Sequence, residues 1–196
     1  MSLKNEYENL YWSKGETVLG IDEVGRGPIC GPLVVAGVVL PINYVNDEIK
    51  DSKKLSSKKI EALYHVIIDN AIRYKIDIVD PKTIDELNIY QATKSSMERI
   101  ASSCEAAYII TDAMPIDINK EYSKIIKGDS LSISIAAASI IAKYTRDQIM
   151  LEYDLLYPEY GYKNHKGYPT SKHLQAIKIY GIKDFYRLSY KPCKNL

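Results

Sequence analysis

The feature that most constrains this chain is an unbroken apolar run at residues 33–40 (LVVAGVVL). It follows a β-rich stretch at 17–22 (TVLGID) after one short connector. Eight apolar residues without alternation mark a strand buried on both faces, which places it inside a sheet covered by helices. The connector, 25–32 (GRGPICGP), is too short for a crossover helix, so the two strands are expected to run antiparallel. The run is also far shorter than the roughly 20 residues a membrane helix needs.

The rest of the chain supplies the other layers. Ser56 or Ser57 caps a helix whose Ile60, Leu63, Tyr64, Ile67, Ile68, Ala71 and Ile72 keep helical spacing. A third strand is expected at 74–79, then two helices, one opened by Pro81 and one over about 91–104. Residues 107–111 read as a fourth strand ending at Asp112, and 123–127 as a short fifth running into Gly128 and Asp129. Residues 131–153 form a long helix, small and apolar almost all round in its first half, hence buried and closely packed. A loop-like basic stretch at 156–169 precedes a helix at 171–180 and a basic tail. At 196 residues the expectation is an α/β fold in one domain, 1–196: a mixed five-stranded sheet flanked by helices. Its core spans about 17–145, and a helical, basic C-terminal region spans about 146–196.

Composition narrows the setting. With 46% hydrophobic and 26% charged residues, the chain is neither disordered nor a disulfide scaffold. Its three cysteines form no C-x-x-C pair, which fits a reducing compartment without structural zinc. The acidic start has no apolar segment of a secretory signal, so a cytoplasmic protein without membrane attachment is expected. Charge is unevenly spread: residues 1–142 carry 16 Lys and Arg against 20 Asp and Glu, residues 143–196 carry 10 against 5. An acidic front and basic back suit a cation-holding site beside a surface for an anionic polymer; a solvated lysine-rich tail is the plainer alternative.

Four carboxylates sit where strands are expected to finish: Asp22, Glu23, Asp112 and Asp129. Ends of neighbouring strands in an open α/β sheet converge on one edge. Four carboxylates gathered there repel and protonate unless cations neutralise them. Mg²⁺ or Mn²⁺ suits such an all-oxygen set, and a pair of ions suits phosphodiester displacement. Each carboxylate also has a plainer role: Asp129 as a helix N-cap, Asp112 as a turn residue. Asp22 and Glu23 are neighbours that point to opposite faces of a strand. They reach one ion only if the strand ends or bends, as Gly20 and Gly25 permit. The Gly25-Arg26-Gly27 loop fits neither a dinucleotide fingerprint nor a P-loop. It fits a tight hairpin, or a backbone that approaches a sugar-phosphate chain closely.

Residues 20–28 (GIDEVGRGP) resemble the signature of type 2 ribonuclease H, ribonuclease HII. Further segments resemble the family in order: DSKKL at 51–55, TDA at 111–113, KGDS at 127–130, AAASIIAK at 136–143, RD at 146–147 and HKGYPT at 165–170. The third departs slightly, since the family often shows Val-Asp-Gly where this chain has Thr-Asp-Ala. The resemblance implies an RNase H-like fold with a helical C-terminal region and an active site using Mg²⁺ or Mn²⁺, two ions during catalysis. On matching positions, Asp22, Glu23, Asp112 and Asp129 are the implied catalytic and metal-binding carboxylates. Gly25, Arg26 and Gly27 are implied to sense the ribose 2′-OH through backbone contacts, and Tyr168 to pack on the next sugar. Ser52, Lys53, Lys143 and Arg146 are implied phosphate contacts, with surface solvation as the alternative. His165 and His173 are expected to face nucleic acid or to be structural.

The implied activity is endonucleolytic hydrolysis 5′ of ribonucleotides in RNA–DNA hybrids or embedded in duplex DNA, leaving 3′-OH and 5′-phosphate ends. This is the chemistry of ribonucleotide excision repair, expected here from a monomer. Two other classes compete, a non-catalytic nucleic-acid-binding module and a phosphohydrolase for small esters. The complete carboxylate set argues against the first; the basic tail and the lack of an Asp-x-Asp nucleophile motif argue weakly against the second.

Overall fold

The computed structural model of the protein describes residues 3–194. Strands β1 (Val18–Val24), β2 (Leu33–Val39), β3 (Arg73–Val79), β4 (Tyr108–Asp112) and β5 (Tyr122–Ile125) form one sheet in the order β3-β2-β1-β4-β5. β2 is antiparallel to both β1 and β3; β1, β4 and β5 run parallel. The sheet is therefore mixed, and every residue of β2 is buried, as its apolar run dictates.

Two helical layers cover the sheet. On one face, α2 (Ser57–Asn70) and the long α5 (Ile133–Leu156) pack with Val34, Ala36 and Val38 around Ile60, Leu63, Ile67, Ile140 and Ile141. On the other, α4 (Ile89–Ser103) sets Met97 and Ile100 against Leu19, Ile21, Leu33 and Val35. α3 (Pro81–Leu87) carries Pro at its first turn and is capped by Asp80, which accepts from Thr83 N–H at 2.9 Å. Ser56, not Ser57, caps α2.

α5 lies unusually near β1 because its facing residues are small, Ala136, Ala137, Ala138, Ser139 and Ala142, all buried. Contact is closest at Gly20, where a Cβ would overlap the Ser134 backbone and lie 2.5 Å from Ile135 N. The sequence shows the helix but not this backbone-to-backbone approach.

Three local features add to or change the sequence reading. Residues 6–12 form a helix, α1 (Glu6–Trp12), that no apolar periodicity announced. It sends Glu8 into the interior, where Oε1 accepts from Ser134 N–H at 3.0 Å and from the Ser132 hydroxyl at the start of α5. Residues 156–169 are not simply loop: they hold a 3₁₀ turn (Pro158–Tyr160) and a short helix, α6 (Tyr162–His165). With α7 (Ser171–Tyr180) and α8 (Lys191–Lys194), these build an aromatic cluster of Tyr160, Tyr162, Phe185 and Tyr186 around Met150 of α5. Third, β1 continues through the acidic pair rather than ending at it. No helix among the described residues is long and apolar enough to cross a membrane.

The close approach at Gly20 gives a first prediction. Gly20→Ala overpacks the α5 contact and is expected to cost about 3 kcal/mol, lowering Tm by roughly 6–12 °C in thermal denaturation. An unchanged Tm refutes the approach.

Candidate active site

Asp22 and Glu23 are consecutive residues of a continuous strand, pairing with Ala36 and Val35 of β2. The expectation of a strand end or bend at the pair is thus corrected. The turn comes one residue beyond Val24, at Gly25, whose φ of +102° favours glycine. Asp22 faces α5, and its Oδ1 accepts the Glu23 N–H at 2.7 Å. β1 and β4 run parallel with Ile21 beside Thr111, so Asp112 follows at the level of Asp22.

Asp112 is more than a turn residue, because its Oδ1 accepts the Gly128 N–H at 2.9 Å. That bond ties the end of β4 to the 3₁₀ turn Gly128–Ser130, which carries Asp129. The N-cap alternative for Asp129 is displaced, since Ser132 caps α5 by accepting from Ile135 N–H at 3.1 Å. Asp129 is buried and instead accepts from Lys53 Nζ at 3.1 Å. Lys53 is delivered by the 3₁₀ turn Ser52–Lys54, which Asp51 caps by accepting the Lys53 N–H at 3.0 Å. Asp51 is a supporting residue that sequence reasoning missed.

The electrostatics follow from this crowding. Burial raises the Asp22 carboxyl well above the usual range, and Glu23 and Asp112 add to it. Burial likewise pushes Glu23 up to about 7, against the opposing pull of Arg26 and with Asp112 adding. Asp112 is raised chiefly by burial, with Asp129 contributing. Partial burial draws the Lys53 ammonium down, but Asp129 outweighs it and holds it above the ordinary lysine range.

A cleft of about 640 Å³ brings Asp22, Glu23 and Asp112 together with Gly25-Arg26-Gly27, Ser52, Lys53, Lys143, Arg146 and Tyr168. The glycine loop and Tyr168 meet directly: a Cβ on Gly27 would lie 3.1 Å from Tyr168 Cε1. The Tyr168 ring is 47% exposed and has the Arg146 guanidinium 5.7 Å from its centroid. Arg26 is exposed and lies 3.4 Å from Glu23 Oε1.

The cations expected to meet phosphates divide. Lys53 is exposed beyond its Asp129 contact. Lys143 is paired with Asp147 at 3.0 Å, and Arg146 is buried, donating to Asp147 and to the Lys166 carbonyl. Arg146 therefore supports the floor beneath Tyr168 rather than standing free in solvent. Ser52 is buried too, its hydroxyl 2.9 Å from that of Ser139 on α5. His173 is structural: buried, pulled down to about 4 by burial, and bridging the Tyr168 carbonyl and the Tyr186 hydroxyl. His165 lines the cleft, with its ring stacked on His173 at 4.2 Å.

The donor set fits hard divalent cations: it is all oxygen, and Glu23 Oε2 is buried without any hydrogen-bond partner. Among the described residues, no three acidic, histidine or cysteine side chains are gathered closely enough to hold a metal ion. Asp129 is instead paired with Lys53 at 3.1 Å.

Residues 19–193 match the family model described as Ribonuclease HII. The chain is 50% identical over 185 residues to Ribonuclease HII of Francisella tularensis subsp. mediasiatica, covering 91% of this chain and 97% of that one. It is 48% identical over 195 residues to Ribonuclease HII of Bacillus mycoides, covering 98% and 76%. Among solved structures, ribonuclease H2 from Pyrococcus horikoshii superposes with a TM-score of 0.75 at 26% identity, covering 91% of this chain and 96% of that chain. The sheet and helical layers are thus those of the ribonuclease H class of nucleases. The chain belongs to the ribonuclease HII family and is a ribonuclease H, a hydrolase of the endonuclease type. Divalent-metal dependence is general to that family.

The raised carboxylates set a pH prediction. Between the ordinary carboxylate value of about 4 and the Glu23 value of about 7, the folded state holds more protons than the unfolded one. Stability in chelator should therefore fall as pH rises through that window. Asp22→Asn should raise Tm at pH 8 and flatten the decline relative to wild type. Parallel Tm–pH curves for the two proteins refute the raised carboxyl.

Proposed function

We propose that this ribonuclease H cuts the phosphodiester 5′ of a ribonucleotide, both in RNA–DNA hybrids and at single ribonucleotides within duplex DNA. The observation that carries the reading is one cleft holding both a charge-frustrated carboxylate cluster and a glycine loop packed on an exposed tyrosine. In this reading Asp22, Glu23, Asp112 and Asp129 hold two Mg²⁺ or Mn²⁺ ions. The chemistry such ions supply is activation of a water nucleophile and stabilisation of the departing 3′ oxygen.

The chain's own residues supply positioning. Lys53, exposed at the rim and within reach of Asp129, can turn its ammonium to a backbone phosphate once that carboxylate is otherwise neutralised. The backbone of Gly25-Arg26-Gly27, free of bulky side chains at both glycines, offers N–H and C=O groups to the 2′-OH. That hydroxyl both donates and accepts, and it distinguishes RNA from DNA at a given site. Tyr168 presents an aromatic face against the following sugar, where an extra hydroxyl would crowd the ring. Contacts of this kind select ribose without selecting a base. The excess of cations after residue 142 provides the polymer-binding surface, less the positive charge that Arg146 and Arg187 keep inside.

The test is a labelled DNA duplex carrying one ribonucleotide, incubated with and without Mg²⁺ or Mn²⁺. Metal-dependent incision on the 5′ side, with 3′-OH and 5′-phosphate products, is expected. Asp22→Asn, Asp112→Asn and Asp129→Asn should each lower turnover by more than about a hundredfold while duplex affinity stays near wild type. Near-normal turnover in any of them removes that residue from the metal set, and incision without metal removes the mechanism.

A further inference from the structure

Arg187 is an anomaly within the basic tail. It is wholly buried, yet among the described residues every hydrogen bond it makes goes to a neutral oxygen. Buried arginines are ordinarily paired with carboxylates, because an uncompensated buried charge is costly. Here Nε and Nη2 donate to the Gly31 carbonyl at 3.1 and 2.8 Å, and Nη1 donates to the Arg26 carbonyl at 3.1 Å. The planar fork thus spans the connector between β1 and β2, gripping it near both ends. Tyr190 adds a second grip, its hydroxyl donating to the same Arg26 carbonyl at 2.7 Å.

The main chain around Arg187 does the same. Arg187 N–H donates to the Ile29 carbonyl at 2.9 Å, and Gly31 N–H donates to the Phe185 carbonyl at 2.8 Å. The neighbouring Tyr186 reaches the other wall of the cleft: its hydroxyl is 2.7 Å from His173 Nε2, and His173 Nδ1 is 2.8 Å from the Tyr168 carbonyl. The far end is moored to α3, where Asp85 accepts the N–H groups of Leu188 and Ser189 at 2.7 and 3.0 Å. One stretch of six residues, 185–190, therefore touches both the glycine loop and the support of the tyrosine that packs on it.

We propose that residues 185–190 are a strap that fixes the Gly25-Arg26-Gly27 backbone relative to Tyr168, with Arg187 and Tyr190 as positioning residues for ribose discrimination. The inference rests on the reading above, that this loop and Tyr168 recognise the sugar. Arg187 and Tyr190 touch neither substrate nor reacting atoms; they set the direction of the Arg26 carbonyl and so of the peptide planes on either side of it. A guanidinium suits this role better than an ammonium, since only its rigid fork can serve two carbonyls at once.

The experiment compares Tyr190→Phe, Arg187→Lys and Gly27→Val with wild type, measuring kcat and KM in Mg²⁺. Two substrates are used, a DNA duplex with one ribonucleotide and a long RNA–DNA hybrid, with Tm and affinity for an all-DNA duplex alongside. Tyr190→Phe removes one hydroxyl without opening a cavity, so its DNA affinity should match wild type and its Tm should fall by no more than about 6 °C. Its kcat/KM should fall about tenfold on the single ribonucleotide, the worth of one well-placed hydrogen bond, and clearly less on the hybrid. A larger loss in the same direction is expected for Arg187→Lys; if that variant does not fold, Tyr190→Phe still decides. Equal losses on both substrates, or none, in folded Tyr190→Phe overturn the strap when Gly27→Val lowers cleavage. If Gly27→Val leaves cleavage of both substrates intact, the sugar-reading role of the loop falls, and the strap's role in discrimination with it.

Discussion

The site depends first on a bare backbone contact. α5 can rest on β1 only because Gly20 has no side chain and the helix presents alanines and serines to the strand. That contact sets the depth at which Asp22, two residues along, sits beneath the helix. It also brings Ser139 near enough for its hydroxyl to meet Ser52, whose turn delivers Lys53. From the N-terminal side, Glu8 accepts the Ser134 N–H and holds the beginning of the same helix, next to the turn bearing Asp129. Packing of α5 therefore places Asp22 and steadies the turn that carries Asp129.

What packing assembles, electrostatics opposes. Burial and mutual repulsion make the charged form of three carboxylates unfavourable, and Lys53, paired with Asp129, eases Asp112 only in part. A protein selected for stability alone would replace such a cluster with apolar residues, because like charges and orphaned acceptors in a core carry a free-energy cost. Perturbed carboxylates in a cleft are accordingly a functional signature with a physical reason behind it. The unpartnered Glu23 Oε2 is its sharpest local expression.

Much of this was legible in the sequence. The apolar run of β2, the short connector and the helical spacings yielded the mixed sheet and its antiparallel first pair, because burial on two faces leaves a direct imprint on composition. The acidic residues were legible as candidates. Their setting was not: strand pairing carries β1 through the acidic pair to Val24, since Asp22, Glu23 and Val24 still have partners in β2. Other misses share one cause. α1 contributes few buried residues and so has no clear periodicity, while Arg187 resembles any cation of a solvated tail. What distinguishes it is the set of carbonyls around it, and those come from residues distant in the chain. The setting of Arg146 was hidden for the same reason, its guanidinium turned inward to Asp147 and the Lys166 carbonyl.

α5 has one more consequence. Its 24 residues span about 36 Å as a single rod. The first half bears against the acidic cluster, and the second carries Arg146, Met150 and Asp154 into the C-terminal aromatic module. On the proposed reading the helix is a ruler between the place where a bond is cut and the place where its sugar is inspected, graduated in turns of backbone. Inserting one residue at its midpoint would rotate the distal half by about 100°, so the length of this helix is held by geometry in a way that the loop at 41–50 is not. The distance at which the enzyme cuts from the hydroxyl it recognises is, on the proposed reading, written into the helix that lines the cleft at one end and carries the C-terminal module at the other.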